Sequence, residues 1–219
     1  MTARPANPRL ALDILQATAE LVEDKGPHGV TMRAVAERVG YSPTTIYLYF
    51  SNKDQLLNET EERAFEWLAE DLARAASSPS PLERIRQSAR AYVEWALAHP
   101  EMYKLMFEHA YSAEPLDADT WSEGIQRRRR ALLDARERFE AAVAAGELDA
   151  STDVDAAVLV SWAALHGLVS LALSGRLMGP SRVLPPGLLE KRVAELADVA
   201  LDAWVTLWAP PGAAAEAAG

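Results

Sequence analysis

Residues 31–53 read TMRAVAERVGYSPTTIYLYFSNK, with three tyrosines and a phenylalanine inside positions 41–50 and no charge between Arg38 and Lys53. Thr31 is a helix-capping residue, and Met32, Val35, Ala36 and Val39 behind it keep the i, i+3, i+4, i+7 spacing of one buried face. Gly40 supplies a turn. Pro43 suits the first turn of a second helix, and Ile46 and Phe50 lie four apart, so a short helix ending near Phe50 is predicted, with that pair turned inward. Two helices joined through Gly40-Tyr41-Ser42, the second about two turns long, have the proportions of a helix-turn-helix. Thr45 and Tyr49 are then expected to face outward beside Thr44 and Tyr47, with Lys53 just beyond. Such a face suits a polyanion: hydroxyls bond phosphate oxygens, threonine methyls meet thymine methyls, and the lysine supplies charge. Packing at a domain junction is the competing reading of any single tyrosine.

The rest of the chain bounds the possibilities. Its 219 residues are half apolar, enough for one body with a small appended module. A net charge of −10 argues against indiscriminate coating of nucleic acid. The charge is unevenly spread, because residues 1–53 hold six Lys/Arg against five Asp/Glu and the remainder holds 16 against 27. With no cysteine, disulfides, thiolate nucleophiles and cysteine-based zinc sites are excluded, which fits a reducing cytoplasm. Asp13 interrupts what would be the apolar region of a leader, so no secretion signal is expected.

Every long periodic segment reads as helix. The first is predicted from Pro8 to Lys25, stopped by Gly26-Pro27, and a fourth is opened by Ser51-Asn52-Lys53-Asp54 and reaches Ala76. Ser80-Pro81-Leu82-Glu83 starts a fifth that ends at His99-Pro100. A short helix over 101–109, a long one closed by Gly146, one from Asp153 to Ser174 and a last from Leu188 to Trp208 bring the number to nine. Residues 156–175 carry no formal charge and meet the length test for a membrane span. Ala, Ser and Gly abound there, His166 sits in the middle, and no basic cluster flanks it. A helix buried in a core and a dimer interface is therefore expected, with no membrane partner.

Taken together, Thr31-Met32-Arg33-Ala34-Val35-Ala36, Gly40-Tyr41-Ser42 and Thr44-Thr45-Ile46-Tyr47-Leu48-Tyr49-Phe50-Ser51-Asn52-Lys53 resemble the amino-terminal pattern of the TetR family of transcriptional regulators. The resemblance implies an all-α, nine-helix fold. It implies a helix-turn-helix DNA-binding domain over 1–53, a helical ligand-binding and dimerisation domain over 54–208, and a disordered tail over 209–219. By the same resemblance the DNA contacts are Thr31, Arg33, Tyr41, Ser42, Thr44, Thr45, Tyr47, Tyr49 and Lys53, with Tyr47 and Lys53 on phosphate. Position 43 is proline where other members place a polar base reader, so base readout is expected from Arg33, Thr44 and Thr45. The implied protein is a homodimer through its last two helices that represses from a palindromic double-stranded operator and is released by a small-molecule effector.

Trp162-Ala163-Ala164-Leu165-His166-Gly167, with His99-Pro100-Glu101-Met102-Tyr103, is similar to a subgroup of TetR sensor domains named for Trp, His and Gly. Tyr92, Trp95, Met102, Tyr103, Met106, Phe107, Trp121, Ile125, Trp162 and His166 are the candidate walls of a pocket for a largely apolar molecule. His166 also reads as a core histidine with one hydrogen bond, and Gly167 as a point of close helix approach. Arg127 to Arg130 span a full helical turn and are expected to pair with carboxylates such as Glu123 and Asp134. The four histidines lack metal-ligand spacing, and there is no Gly-rich phosphate loop or serine elbow, so no metal, cofactor or catalytic residue is assigned. The competing functions are an all-helical enzyme using His166 with a carboxylate, and an adaptor whose tyrosine helix binds protein.

Overall fold

Side chains that cap helices set the boundaries of the first elements. Asn7 Oδ1 accepts from the amides of Arg9 and Leu10 at 3.1 and 3.4 Å and opens α1, Pro8–Gly29. Thr31 Oγ1 accepts from Ala34 N at 3.1 Å and opens α2, Met32–Val39. Ser42 Oγ, 3.2 Å from Thr45 N, opens α3, Pro43–Tyr47. Asn52 Oδ1 takes Gln55 N at 2.8 Å at the head of α4, Lys53–Ala75, while Gln55 Oε1 reaches back to Ser51 N at 2.7 Å. The capping role in that stretch therefore falls to Asn52 and Gln55.

In the computed structural model the described residues are 7–108, 123–177 and 188–210, with backbone alone at 123–128 and 188–190. They contain nine helices and no strand: after α4 come α5 (Pro81–Ala98), α6 (Pro100–Phe107), α7 (Glu123–Ala144), α8 (Val154–Leu173) and α9 (Leu188–Leu207). Trp121, the side chain of Ile125 and the tail from residue 211 lie outside the described residues.

The chain divides into two compact units. The first holds the residues up to Trp67 with those of 99–128, so α6 joins the helix-turn-helix. Its core is the fully buried set Ile14, Val22, Val30, Val35, Ile46, Phe50, Leu56 and Tyr103. Here α1 packs against α2 and α6, and α2 against α3. The backbone of α1 leaves helical geometry at Gly26 (φ 69°, ψ 167°) and resumes for one more turn through Pro27, so the predicted stop is a kink.

The second unit holds 68–98 and the residues from Arg129 on. In it α5, α8 and α9 pack pairwise, and Ile85, Phe139, Ala142, Leu148, Ala157 and Val158 form a core capped edge-on by Trp208, 6.2 Å from Phe139. Arg90 donates to Asp198 at 2.7 Å and Arg86 pairs with Asp202, which ties α5 to α9. Ser80 caps α5 as expected, at 3.1 Å from Glu83 N, but the carboxylate completing the cap is Glu147, 2.6 Å from Leu82 N.

Candidate nucleic-acid interface

The turn between α2 and α3 is built by Gly40, whose left-handed backbone (φ 75°, ψ 29°) ends α2 while Tyr41 N donates back to Ala36 O at 2.9 Å. This turn joins α2 to α3. Ile46 and Phe50 are buried with Val35, which seats α3 on α2. Arg38 locks α2 to α1 through Asp24 Oδ2 at 2.8 Å and Glu20 Oε2 at 3.0 Å. These hydrogen bonds hold the guanidinium above its ordinary pKa, and they leave Arg38 occupied as a structural cation.

The outward face of α3 differs from expectation by one column. Pro43, Thr44, Tyr47 and Leu48 are exposed, whereas Thr45 and Tyr49 are half-buried. The cause is helical geometry: at 100° per residue, the positions two away from buried Ile46 lie on the opposite side, and those are Thr44 and Leu48. Thr45 Oγ1 is also engaged locally, 3.0 Å from Ser42 Oγ. Leu48, 68% exposed, has no hydroxyl and so gives no signal to a search for phosphate-bonding groups, although its spacing from Ile46 marks its place.

The other expected contacts surround this face. Tyr41 is 49% and Tyr47 52% exposed. Thr31 and Ser42 are exposed, each with its side-chain oxygen already capping a helix. Arg33 points to solvent beside Glu37, 3.2 Å away; a surface pair of this kind is worth only about 0.3–0.5 kcal/mol and opens readily to a phosphate. Lys53 Nζ donates to His28 O at 3.2 Å, so the expected phosphate anchor also ties α4 to the end of α1.

The side chains expected to line a pocket divide between the units. In the second, Tyr92 and Trp95 are buried, Tyr92 Oη lies 3.4 Å from His166 Nδ1, and Trp162 stacks at a tilt on His166 with ring centroids 5.3 Å apart. Beside them Ser161 Oγ is buried without a hydrogen-bond partner among the described residues. In the first unit Met102, Tyr103 and Met106 are buried, and Phe107 packs on Tyr103 at 4.8 Å and edge-on to Phe65 at 5.4 Å. Arg130 lies 3.9 Å from Asp134, as the charge pattern suggests. Among the described residues no group of His, Asp and Glu is arranged to hold a metal ion.

Among the described residues, one apolar face in the second unit is exposed. Along α8, Ala156, Leu159, Val160, Ala163, Ala164 and Leu171 are exposed at helical spacing. A Cβ added to Gly167 in the same row would meet no atom within 4 Å, so the close approach expected there is not made by this chain's described residues. Val199, Ala203 and Leu207 form an exposed apolar row on α9. By length and composition α8 could cross a membrane, yet it packs against α5 and α9.

Comparison with known proteins bears on both units. Residues 14–60 match the family model described as bacterial regulatory proteins, tetR family, and residues 85–196 match one described as tetracyclin repressor-like, C-terminal domain. The HTH-type transcriptional activator FasR of Mycolicibacterium smegmatis is 28% identical over 103 residues, 47% of each chain, so this chain spans about half the length of that curated relative in the match. A protein of unknown function from Rhodococcus sp. RHA1 is similar in structure with TM-score 0.74 and 26% identity, over 93% of this chain and 97% of that one. The TetR family transcriptional regulator PfmR from Thermus thermophilus shares the fold with TM-score 0.60 and 21% identity, over 86% of this chain and 97% of its own.

Proposed function

The chain belongs to the TetR family of bacterial regulatory proteins, a family of regulators and not of enzymes, and from that premise we propose a dimeric, ligand-responsive transcriptional repressor. It binds a palindromic duplex operator in the cytoplasm through a DNA-binding domain over 1–53 and is released by a small, largely apolar molecule. The observation that carries this reading is the exposed, uncharged face of α3, offering Thr44 and Tyr47 from a head whose core and Arg38 clamp fix its angle. Tyr41, Tyr47 and Lys53 surround it as phosphate contacts, Arg33, Thr44 and Thr45 are the proposed base readers, and Thr31, Ser42 and Tyr49 lie at the margin.

Two heads are needed because one carries so little positive charge. The uncovered apolar rows of α8 and α9 support a homodimer through these helices. Fully burying a Leu or Val side chain stabilises by about 1.5–3 kcal/mol, and Leu159, Val160, Leu171, Val199 and Leu207 are each roughly half exposed or more. The effector is proposed to contact Tyr92, Trp95, Trp162 and His166, with Ser161 as a polar anchor; Met102, Tyr103, Met106 and Phe107 stay in the proposed set as an apolar group of their own. Because α4 is one continuous helix from Lys53 to Ala75, a shift along it is the proposed route from effector to head. A preference of the effector for the non-binding state of about 1–3 kcal/mol lowers operator affinity about 5–150-fold.

Activation is the competing sign, favoured by the name of the relative FasR. Gel shifts with the duplex upstream of the gene, titrated with salt and followed by a reporter fusion, test both. Specific binding is expected to weaken linearly on a log–log plot, with Lys53→Ala reducing the slope by about one unit. Reporter output that rises on deleting the gene supports repression. An unchanged slope in Lys53→Ala removes that residue from the phosphate contacts, and the absence of any specific shift removes DNA as the partner.

A further inference from the structure

The residues on the outer face of α3 limit what that helix can read. Guanine is recognised by bidentate Arg or Lys, adenine by Asn or Gln, and cytosine by a carboxylate. None of these residue types occurs between Val39 and Ser51. The hydroxyls of Ser42 and Thr45 bond each other at 3.0 Å, and serine or threonine hydroxyls discriminate poorly among bases in any case. What the end of α3 does present is carbon: Leu48, its C-cap residue in right-handed helical backbone, is 68% exposed, four residues on from exposed Thr44 and next to exposed Tyr47. A scattered exposed leucine needs no explanation. This one lies on the side of α3 opposite the buried Ile46, among the proposed DNA contacts, where a polar residue would cost nothing in folding.

We propose that Leu48, with the methyl of Thr44, is a specificity determinant that reads the C5 methyl group of a thymine in the major groove of each operator half-site. The inference rests on the proposed DNA-binding function and deepens it by naming the base. Thymine alone among the four bases carries a methyl on that edge, so an apolar contact there distinguishes T·A from the other pairs.

Uracil substitution isolates the contact, because it keeps the base pair and removes only the methyl. An operator is first selected by the full-length wild-type protein from a random duplex pool. Each thymine of the selected site is then replaced singly by uracil, and affinities are compared by fluorescence anisotropy at one salt concentration. Wild-type protein is expected to lose about fourfold at one or two thymines per half-site, the effect of leaving one methyl-sized group uncovered. Leu48→Ala is expected to bind the thymine and uracil duplexes alike at those positions, with an unchanged salt slope and melting temperature. Leu48→Met, which keeps an apolar tip, retains the discrimination. Tight selective binding with no uracil effect at any position overturns the inference and leaves the proposed function standing, as does a uracil effect undiminished in Leu48→Ala. Failure to select any sequence overturns the proposed function itself.

Discussion

Glu23 shows how a single carboxylate is held between opposing effects. Its Oε1 accepts from Met102 N at 3.3 Å and lies 3.4 Å from His99 Nδ1, so a side chain of α1 supplies the cap that His99 does not give to α6. Burial raises its pKa above the ordinary carboxylate value, against the opposing pull of His99 and of the amides of Met102 and Glu101, and the nearby Glu101 adds to the rise. A folded-state pKa above the unfolded one means that the folded protein holds this proton more tightly. The stabilisation is complete below the unfolded pKa and is lost as pH rises through the folded one. Glutamine imitates the protonated form and still accepts both amides. Glu23→Gln is therefore expected to melt above wild type at pH 7, with the gap closing as pH falls through the raised folded-state pKa and closed below the ordinary value of about 4.5. A lower melting temperature for the variant at pH 7 would show that the His99 contact outweighs burial.

At the scale of elements, α1 depends on its kink. Gly26 combines φ 69° with ψ 167°, a region essentially reserved for glycine, and an added Cβ would stand 3.1 Å from Glu101 Oε2. Gly26→Ala is expected to cost about 1–3 kcal/mol, read as a lower urea midpoint at unchanged m-value. A neutral result would mean that the bend is not required by the packing of α6. The same elements show what is legible in the sequence. Caps and period place α2 and α5 to within a residue, because Thr31 and Ser80 act locally. Helix α3 is shorter than its pattern predicts, since Leu48 and Tyr49 continue as a turn and not as helix. Gly26-Pro27 reads as a stop because local signals cannot show that a further turn packs beyond it. Exposure on this face is legible in part: Tyr41 and Tyr47 are exposed as the spacing leads one to expect, while Thr45 and Tyr49 are half-buried. The partnership of Glu147 with the α5 cap, 65 residues away from Leu82, depends on tertiary contact that no local pattern encodes.

For the whole molecule, the proposed operator binding requires two heads used together. The apolar row of α8 is exposed on the isolated chain, and a charge placed in it should prevent pairing without disturbing the fold, because Val160 is already half exposed. Val160→Glu is expected to sediment at half the wild-type mass with unchanged helical circular dichroism, and to lose most of its operator affinity. A dimer that survives this change would place the interface elsewhere. Hydroxyl-radical footprinting of wild-type protein on its selected duplex shows whether two heads bind together. Two protected windows related by a dyad, with half-site centres about 10–10.5 base pairs or a multiple of that apart, are the predicted result. A single protected window, or none, would contradict it.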